Sequence, residues 1–157
     1  MKLAHVAGRG KGIHIVALDD ATGAMESVSV IEGPRNPSYL AISPNKRRLY
    51  AVEELDDIDK SQLHTYALEA ETGSLKLLAK RPSPGSFACH VHVDEEMRHV
   101  FIANFVSGDL VHYRLSPDGV PEGRPDVVSR QDAEPRDKTS NFHFSTIFPE
   151  TSTLLVA

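Results

Sequence analysis

Three histidines near the middle of the chain have a spacing that could bind a metal. His90 and His92 lie two residues apart in a segment that alternates like a β-strand, so their rings point to the same side, and His99 follows. Imidazoles placed in this way are common zinc ligands. Strand histidines more often satisfy their hydrogen bonds within the fold, and we favour that interpretation. The sequence therefore predicts no metal site and no cofactor.

Two other groupings are similar to chemical motifs, but each lacks a required feature. Cys89 precedes His90 as a nucleophile could precede its base, yet neighbours in a strand point to opposite faces. We interpret Cys89 as a small buried side chain. The segment GRGKG at residues 8–12 lacks the Ser or Thr of a phosphate-binding loop, and strand signals follow where a helix is required. It is interpreted as a turn at a sheet edge.

An acidic run at residues 53–59 could bind a hard cation through carboxylate oxygens. Its members are Glu53, Glu54, Asp56, Asp57 and Asp59. The run lacks the spacing and the glycine of an EF-hand loop, so we interpret it as a solvated loop. Glu54, at a strand end, is the member that could face a cavity.

An internal repeat predicts the elements that must position these residues. The segment ALDDATG at 17–23 returns as ALEAETG at 67–73, an offset of 50 residues. Each period contains short runs of alternating apolar residues bounded by Gly, Pro, Asn and Asp, which is the pattern of strands. Four antiparallel strands in roughly 50 residues make one blade of a β-propeller. The predicted fold is therefore all-β, a β-propeller of four-stranded antiparallel blades.

The repeat divides the single domain 1–157 into about three blades. Residues 3–31 are predicted to form the outer strands of a blade, 36–80 and 86–129 one blade each, and 141–157 the start of the next. Closed propellers have roughly four to eight blades, so three leave the ring open. We expect either a fragment or a protomer whose ring closes by self-association.

Composition excludes several classes of function. The net charge of -5 and the scattered Lys and Arg residues argue against nucleic-acid binding. No apolar run approaches the roughly 20 residues needed to span a bilayer, and the first residues contain no signal-peptide stretch. A single cysteine, Cys89, excludes an internal disulfide. We expect a cytoplasmic protein with no membrane partner.

Motifs spread over nearly the whole chain carry a family resemblance. They are GIHI at 12–15, NPSYLAISP at 36–44, LYAVEE at 49–54, CHV at 89–91, IAN at 102–104, DVV at 126–128, RQ at 130–131 and NFH at 141–143. Together they resemble the lactonase family of seven-bladed β-propellers, which includes bacterial 6-phosphogluconolactonases and fungal carboxymuconate lactonizing enzymes. Seven such blades need roughly 350 residues, so the resemblance implies an N-terminal half.

The resemblance also implies a catalytic residue in a central channel. His143 stands six residues before Pro149, as does the channel-facing histidine of the family. A neutral imidazole there could act as general acid or base. The family usually has serine after this histidine, and often a second histidine two residues before it, where this chain has Phe144 and Asn141. The arginine and glutamate that the lactonizing enzymes use in a later blade would lie beyond Ala157.

Four further residues are predicted to bind the substrate: His90, Glu54, Arg130 and Gln131. Arg130 and Gln131 begin a polar loop that runs to residue 140 and carries Arg136 and Lys138. A loop on the channel rim could hold an anionic substrate by charge-assisted hydrogen bonds. A connector without a binding role is the alternative interpretation of this loop.

The expected function is hydrolysis of a sugar lactone such as 6-phosphogluconolactone, with a small anionic lactone as the small-molecule partner. A carboxymuconate-type cycloisomerase, which moves a proton and adds no water, is an alternative. A propeller that serves as a non-catalytic binding surface is another. The chain contains no Gly-x-Ser-x-Gly motif, so a serine-hydrolase mechanism finds no support.

Overall fold

The computed structural model describes residues 2–57, 60–129, 141–148, 150–151 and 153–157. All regular secondary structure in these ranges is β-strand, so no helix there could cross a membrane. The strands are β1 (Lys2–Val6), β2 (Lys11–Leu18), β3 (Met25–Arg35), β4 (Pro37–Ile42), β5 (Arg48–Glu53), β6 (Gln62–Leu68), β7 (Leu75–Pro82), β8 (Ala88–Val93), β9 (His99–Asn104), β10 (Asp109–Leu115), β11 (Pro121–Ser129), β12 (Ser145–Phe148) and β13 (Thr153–Val156).

The described strands form three antiparallel sheets and one hairpin, each connected in sequence order. The first sheet is β1-β2-β3, the second β4-β5-β6-β7, the third β8-β9-β10-β11, and the final hairpin β12-β13. Strand β4 lies beside β8, and β8 lies beside β12, so the leading strands of successive units are neighbours. Consecutive four-stranded meanders arranged in this way are propeller blades, which confirms the predicted fold class.

Burial along the strands follows their position in the sheet. In β5 (RLYAVE) and β9 (HVFIAN) every residue after the first is buried, because both strands lie inside a sheet that is covered on both faces. The outermost strands β3, β7 and β11 are largely exposed and carry charged side chains. Charged, exposed edges discourage pairing with other chains.

The apolar core lies between consecutive sheets. Between the first and second sheets, Ile13 packs with Leu49, Ala51 and Tyr66. A larger cluster joins the second and third sheets, made of Tyr50, Val52, Leu63, Ala88, Val91, Val93, Val100, Ile102, Val111 and Tyr113. Burial of this area supplies the main energy that holds the sheets face to face, at roughly 25 cal/mol per Å² of apolar surface.

Strand bounds differ slightly from the segments that the repeat suggested. Strand β3 extends to Arg35 and β7 to Pro82, whereas the repeat placed the ends of these segments at residues 31 and 80. Strand β3 shifts register against β2 between Lys11 and Ile13 and between Ile15 and Val16. Strand β7 shifts register against β6 between Thr65 and Tyr66. Such irregularities let an edge strand continue past the point where strict alternation ends.

Candidate active site

A pocket of about 370 Å³ opens where the leading strands of the sheets begin. It lies beside β4 and β8 and is reached by loops from the first sheet and by the segment before the final hairpin. Its lining residues are Arg9, Ser38, Glu54, Phe87, Cys89, Phe105, Val106 and His143. Two sequence-predicted residues, Glu54 and His143, are thus brought together here.

Three of the lining residues occupy equivalent places in successive units. In the pairing of β4 with β5, the register shifts between Pro37 and Tyr39, which leaves Ser38 as the extra residue of a β-bulge. The pairing of β8 with β9 shifts in the same way around Cys89. At the final hairpin, the N–H groups of His143 and Phe144 both donate to the carbonyl of Ala157, at 2.6 and 2.9 Å. The bulge directs each of these side chains toward the pocket.

A second set of lining residues follows β1 in the first sheet and the second strand in each of the next two sheets. Arg9 comes after β1, Glu54 after β5 and Phe105 after β9. The backbone N–H of Glu54 donates to Asn36 O at 3.0 Å, and that of Phe105 donates to Phe87 O at 2.8 Å. These bonds hold the ends of the second strands beside the starts of the leading strands.

The His143 side chain is exposed to the pocket and oriented by an aromatic neighbour. Its ring makes a T-shaped contact with the ring of Phe105, with centroids 5.5 Å apart and an interplanar angle of 84°. The backbone N–H of His143 is anchored on Ala157. An exposed imidazole on a fixed backbone is suited to proton transfer with a molecule in the pocket.

Cys89 is half-buried and faces the pocket, a position that the sequence interpretation did not assign. Its thiol lies 3.5 Å from Ala103 O and slightly farther from the carbonyls of Phe142 and His143. Burial raises the pKa of the Cys89 thiol to about 11, and the negative charge of Glu54 adds to the shift. The side chain is therefore a protonated thiol at neutral pH, which is a poor nucleophile.

His90, which the sequence predicts as a substrate-binding residue, is not among the residues that line this pocket. It is 4% exposed and packs between the rings of Tyr39 and Phe144, with centroids 4.4 and 4.5 Å away. The N–H of Ser145 donates to its Nδ1 at 3.3 Å. Because Cys89 takes the bulge position, the next side chain turns toward the contact between sheets. Burial, with smaller contributions from His92 and His143, lowers the pKa of His90 to about 4.

Glu54 and Arg9 form an ion pair across the first and second sheets. Arg9 Nη2 lies 3.1 Å from Glu54 Oε1, and the two side chains are 79% and 17% exposed. Asn36 connects the two segments: its Oδ1 accepts from the N–H of Gly10 at 3.0 Å, and its own N–H donates to Gly10 O at 2.7 Å. Its carbonyl accepts from Glu54, so one residue positions both members of the pair.

The other predicted substrate-binding residues, Arg130 and Gln131, lie outside the described residues, as does the rest of the loop to residue 140. Asp59 of the acidic run and Pro149 are also outside them. Among the residues that are described, no group of three His, Cys, Asp or Glu side chains is placed to hold a metal ion.

Sequence reasoning missed the contribution of the first sheet. Arg9 belongs to the GRGKG segment, which was rejected as a phosphate loop because strand β2 follows it, and a strand is present there. The segment nevertheless brings an arginine to the pocket wall. The available signal was a cation in a glycine-rich loop. Arg9 occupies the position in the first sheet that is equivalent to Glu54 in the second sheet, because His14 pairs with Val6 as His64 pairs with Ala51.

Two bacterial proteins are similar in sequence to this chain over most of its length. A 6-phosphogluconolactonase of Bacillus subtilis strain 168 is 25% identical over 93% of the chain and 42% of its own length. A 6-phosphogluconolactonase of Enterobacter sp. strain 638 is 27% identical over 92% of the chain and 39% of its own length. The chain thus spans less than half the length of these relatives.

Solved structures share the fold, and a family model matches the sequence. A Bacteroides fragilis NCTC 9343 protein superposes with a TM-score of 0.84 at 24% identity, over 99% of this chain and 45% of that one. A Bacteroides uniformis ATCC 8492 protein gives a TM-score of 0.84 at 27% identity, over 99% and 47%. The model of the family described as lactonase, 7-bladed beta-propeller, matches residues 3–157. The chain belongs to the lactonase family of seven-bladed β-propellers.

Proposed function

We propose that the protein is a lactone hydrolase that opens a sugar lactone, with 6-phosphogluconolactone as the leading substrate. The family match and the names of the relatives support the reaction class. The observation that carries the proposal for this chain is the exposed ring of His143 on a pocket wall that also contains Glu54 and Arg9.

His143 is proposed as the general base for the attack of water. One ring nitrogen accepts a proton from water while the water oxygen bonds to the lactone carbonyl carbon. When the tetrahedral intermediate collapses, the bond from this carbon to the ring oxygen breaks, and His143 returns the proton to that oxygen. The product is a single hydroxy acid, and water is the one other reactant. The T-shaped contact with Phe105 orients the imidazole for both transfers.

Cys89 is not assigned a covalent role in this mechanism. A thiol with a pKa near 11 is almost entirely protonated at neutral pH. Its weak contacts with backbone carbonyls, at 3.5 Å and beyond, keep the sulfur on the pocket wall. Water is therefore the attacking nucleophile in the proposal.

The test is the rate of lactone opening by the purified natural protein, measured against the spontaneous rate in buffer. A dehydrogenase specific for 6-phosphogluconate reports the product. Replacing His143→Gln removes the proton acceptor, and we expect a loss of about 10²–10⁴-fold in kcat with the fold intact. His14→Gln, on an exposed position of β2, is the matched control.

Other outcomes would replace the proposal. A protein that opens no lactone faster than buffer, but consumes a carboxymuconate, would be a cycloisomerase. Unchanged turnover in His143→Gln would remove this residue from the mechanism. Activity with neither substrate would favour a propeller that acts as a binding surface.

A further inference from the structure

Arg9 gives the candidate site a cation that no part of the proposed hydrolysis uses. Among the described residues that line the pocket, it is the single side chain with a permanent positive charge. Glu54 on the same wall is negative, and it would repel an anionic substrate that met no cation. We therefore expect the phosphate of a phosphorylated substrate to lie against Arg9 and away from this carboxylate.

The backbone that carries Arg9 is held in place, whereas its head group is accessible. Both the N–H and the carbonyl of Gly10 are bonded to Asn36, at 3.0 and 2.7 Å. Asn36 adopts a φ of 44°, in the left-handed region that asparagine tolerates better than most residues. The Arg9 side chain is 79% exposed. The loop is thus preorganised, and the guanidinium is open to a ligand.

The hydrogen-bonding capacity of Arg9 suits a phosphate. A guanidinium has five N–H donors in a planar fork, and the bond to Glu54 Oε1 uses Nη2. An exposed ion pair of this kind is weak in water, so a phosphate can share or displace it. Glu54, only 17% exposed, is the fixed partner that keeps the guanidinium over the pocket before substrate arrives. Two parallel N–H donors then match two phosphate oxygens.

We propose that Arg9 binds the phosphate of the substrate and so determines the preference for phosphorylated over unphosphorylated sugar lactones. The inference rests on the proposed lactone hydrolysis and names the residue that selects its substrate. Glu54 acts as a positioning residue for Arg9. The loop from 130 to 140 is not required for this argument.

The test compares two lactones that differ only in the phosphate, 6-phosphogluconolactone and gluconolactone, in the natural protein and in Arg9→Gln. We expect the ratio of kcat/KM values for the two lactones to fall at least 10-fold in Arg9→Gln, mainly through a higher KM for the phosphorylated one. Arg9→Lys keeps the positive charge but loses the planar pair of donors, so its ratio of kcat/KM values should lie between those of the natural protein and Arg9→Gln. Arg98→Gln is the matched control, because Arg98 is also an exposed arginine paired with a glutamate, Glu96, away from this pocket.

A binding measurement separates this inference from the proposed function. Titration calorimetry with 6-phosphogluconate needs no turnover, and we expect Arg9→Gln to bind it at least 10-fold more weakly, with equal melting temperatures. If the natural protein opens neither lactone but shows this difference, the hydrolase proposal fails and the phosphate site stands. Equal binding by the natural protein and Arg9→Gln, no binding by either, or an equal loss of activity on both lactones would overturn the role of Arg9.

Discussion

A β-bulge at the start of each leading strand determines which side chain enters the pocket. Ser38 and Cys89 are the extra residues of two such bulges, and His143 has the corresponding backbone bonds. The residue after each of them turns toward the contact between sheets, where His90 packs against Tyr39. If the inward and outward alternation of such a strand moved by one residue, the side chain that now faces the pocket would pack between the sheets, and its neighbour would face the pocket.

The position of Cys89 predicts that its thiol reacts slowly with alkylating reagents. With its pKa raised to about 11 by burial and by Glu54, only about 0.1% of the thiol is ionised at pH 8, whereas an ordinary thiol is ionised to about a quarter. We expect iodoacetamide to modify Cys89 about 100-fold more slowly than free cysteine, as measured by mass spectrometry of its peptide. Glu54→Gln should accelerate the reaction, whereas Glu96→Gln should not. Reaction at the rate of free cysteine would show that the thiol is not buried as described.

Asn36 provides a second test at this scale, because its side chain and its backbone have separable roles. Asn36→Ala loses the acceptor for Gly10 N–H and replaces asparagine with a residue that tolerates a φ of 44° less well, and we expect a loss of about 1–2 kcal/mol in the free energy of unfolding. Asn36→Gly relieves the backbone but still lacks the acceptor, and Asn36→Asp keeps it. Urea unfolding should rank stability as Asp above Gly above Ala. If Gly matches the natural residue in stability and lactone turnover, the bond to Gly10 is unimportant.

At the scale of elements, each sheet is tied to the next by a polar contact at an equivalent place. His5 Nε2 on β1 donates to Gly73 O at 2.6 Å, and Tyr50 Oη on β5 donates to Gly119 O at 2.7 Å. Both glycines close hairpin turns with positive φ, of 67° and 72°, which glycine adopts without strain. The turn between the last two strands of one blade thereby becomes the acceptor for the blade before it.

The tyrosine contact can be tested by removing one atom. Tyr50 is 0% exposed, so Tyr50→Phe leaves the Gly119 carbonyl without this donor in an apolar interface. We expect the free energy of unfolding to fall by about 1–2 kcal/mol. Tyr39→Phe, at a 38% exposed residue, is the control and should change stability by less than about 0.5 kcal/mol. Equal effects of the two substitutions in urea unfolding would contradict the role of the interblade bond.

At the scale of the whole molecule, ionisable side chains are buried where the sheets meet. His90 lies in a ring stack that joins the second sheet, the third sheet and the final hairpin. Glu53 is 2% exposed, with the ring of His64 3.3 Å away. Burial by itself raises the pKa of Glu53, but the contacts with His64 and with the Arg35 N–H outweigh it, so the pKa is lowered overall. Both groups make the fold sensitive to acid.

The sign of this dependence follows from linkage. The pKa of His90 is about 4 in the folded protein against 6.5 when solvated, so the unfolded chain binds the proton more readily. The stabilisation is therefore complete above pH 6.5 and is lost as the pH falls from 6.5 toward 4. We expect a loss of a few kcal/mol from His90, because each unit of pKa difference between the folded and unfolded states corresponds to about 1.4 kcal/mol. Glu53 extends the loss below its ordinary pKa of 4.5, since its pKa is lowered.

Urea unfolding at a series of pH values checks this prediction. His90→Phe keeps an aromatic ring in the stack but cannot titrate, so its stability should vary less between pH 6.5 and 4 than that of the natural protein. Tyr39→Phe, in the same stack, controls for packing and should retain the natural slope. An unchanged slope in His90→Phe would show that this histidine is not the acid-sensitive group.

The sequence alone determined the kind of fold, because alternation of apolar residues and turn chemistry are local properties that repeat along the chain. The period of the ALDDATG segment and the strand patterns around it were sufficient to predict antiparallel propeller blades. His143 and Glu54 could be singled out because their motifs belong to a recognisable family, and the structure places both on one pocket. Their roles in binding and catalysis stay predictions.

The choice of side chains that share that pocket depends on how the sheets pack together. A bulge forms through pairing with the neighbouring strand, and it changes which side chains face each side of the sheet. The alternation of residues in the sequence therefore could not show that Cys89, and not His90, faces the pocket. The approach of Arg9 to Glu54 depends on the packing of the first sheet against the second and on the bonds of Asn36. Such contacts join residues far apart in the chain through long-range packing, which no local pattern encodes.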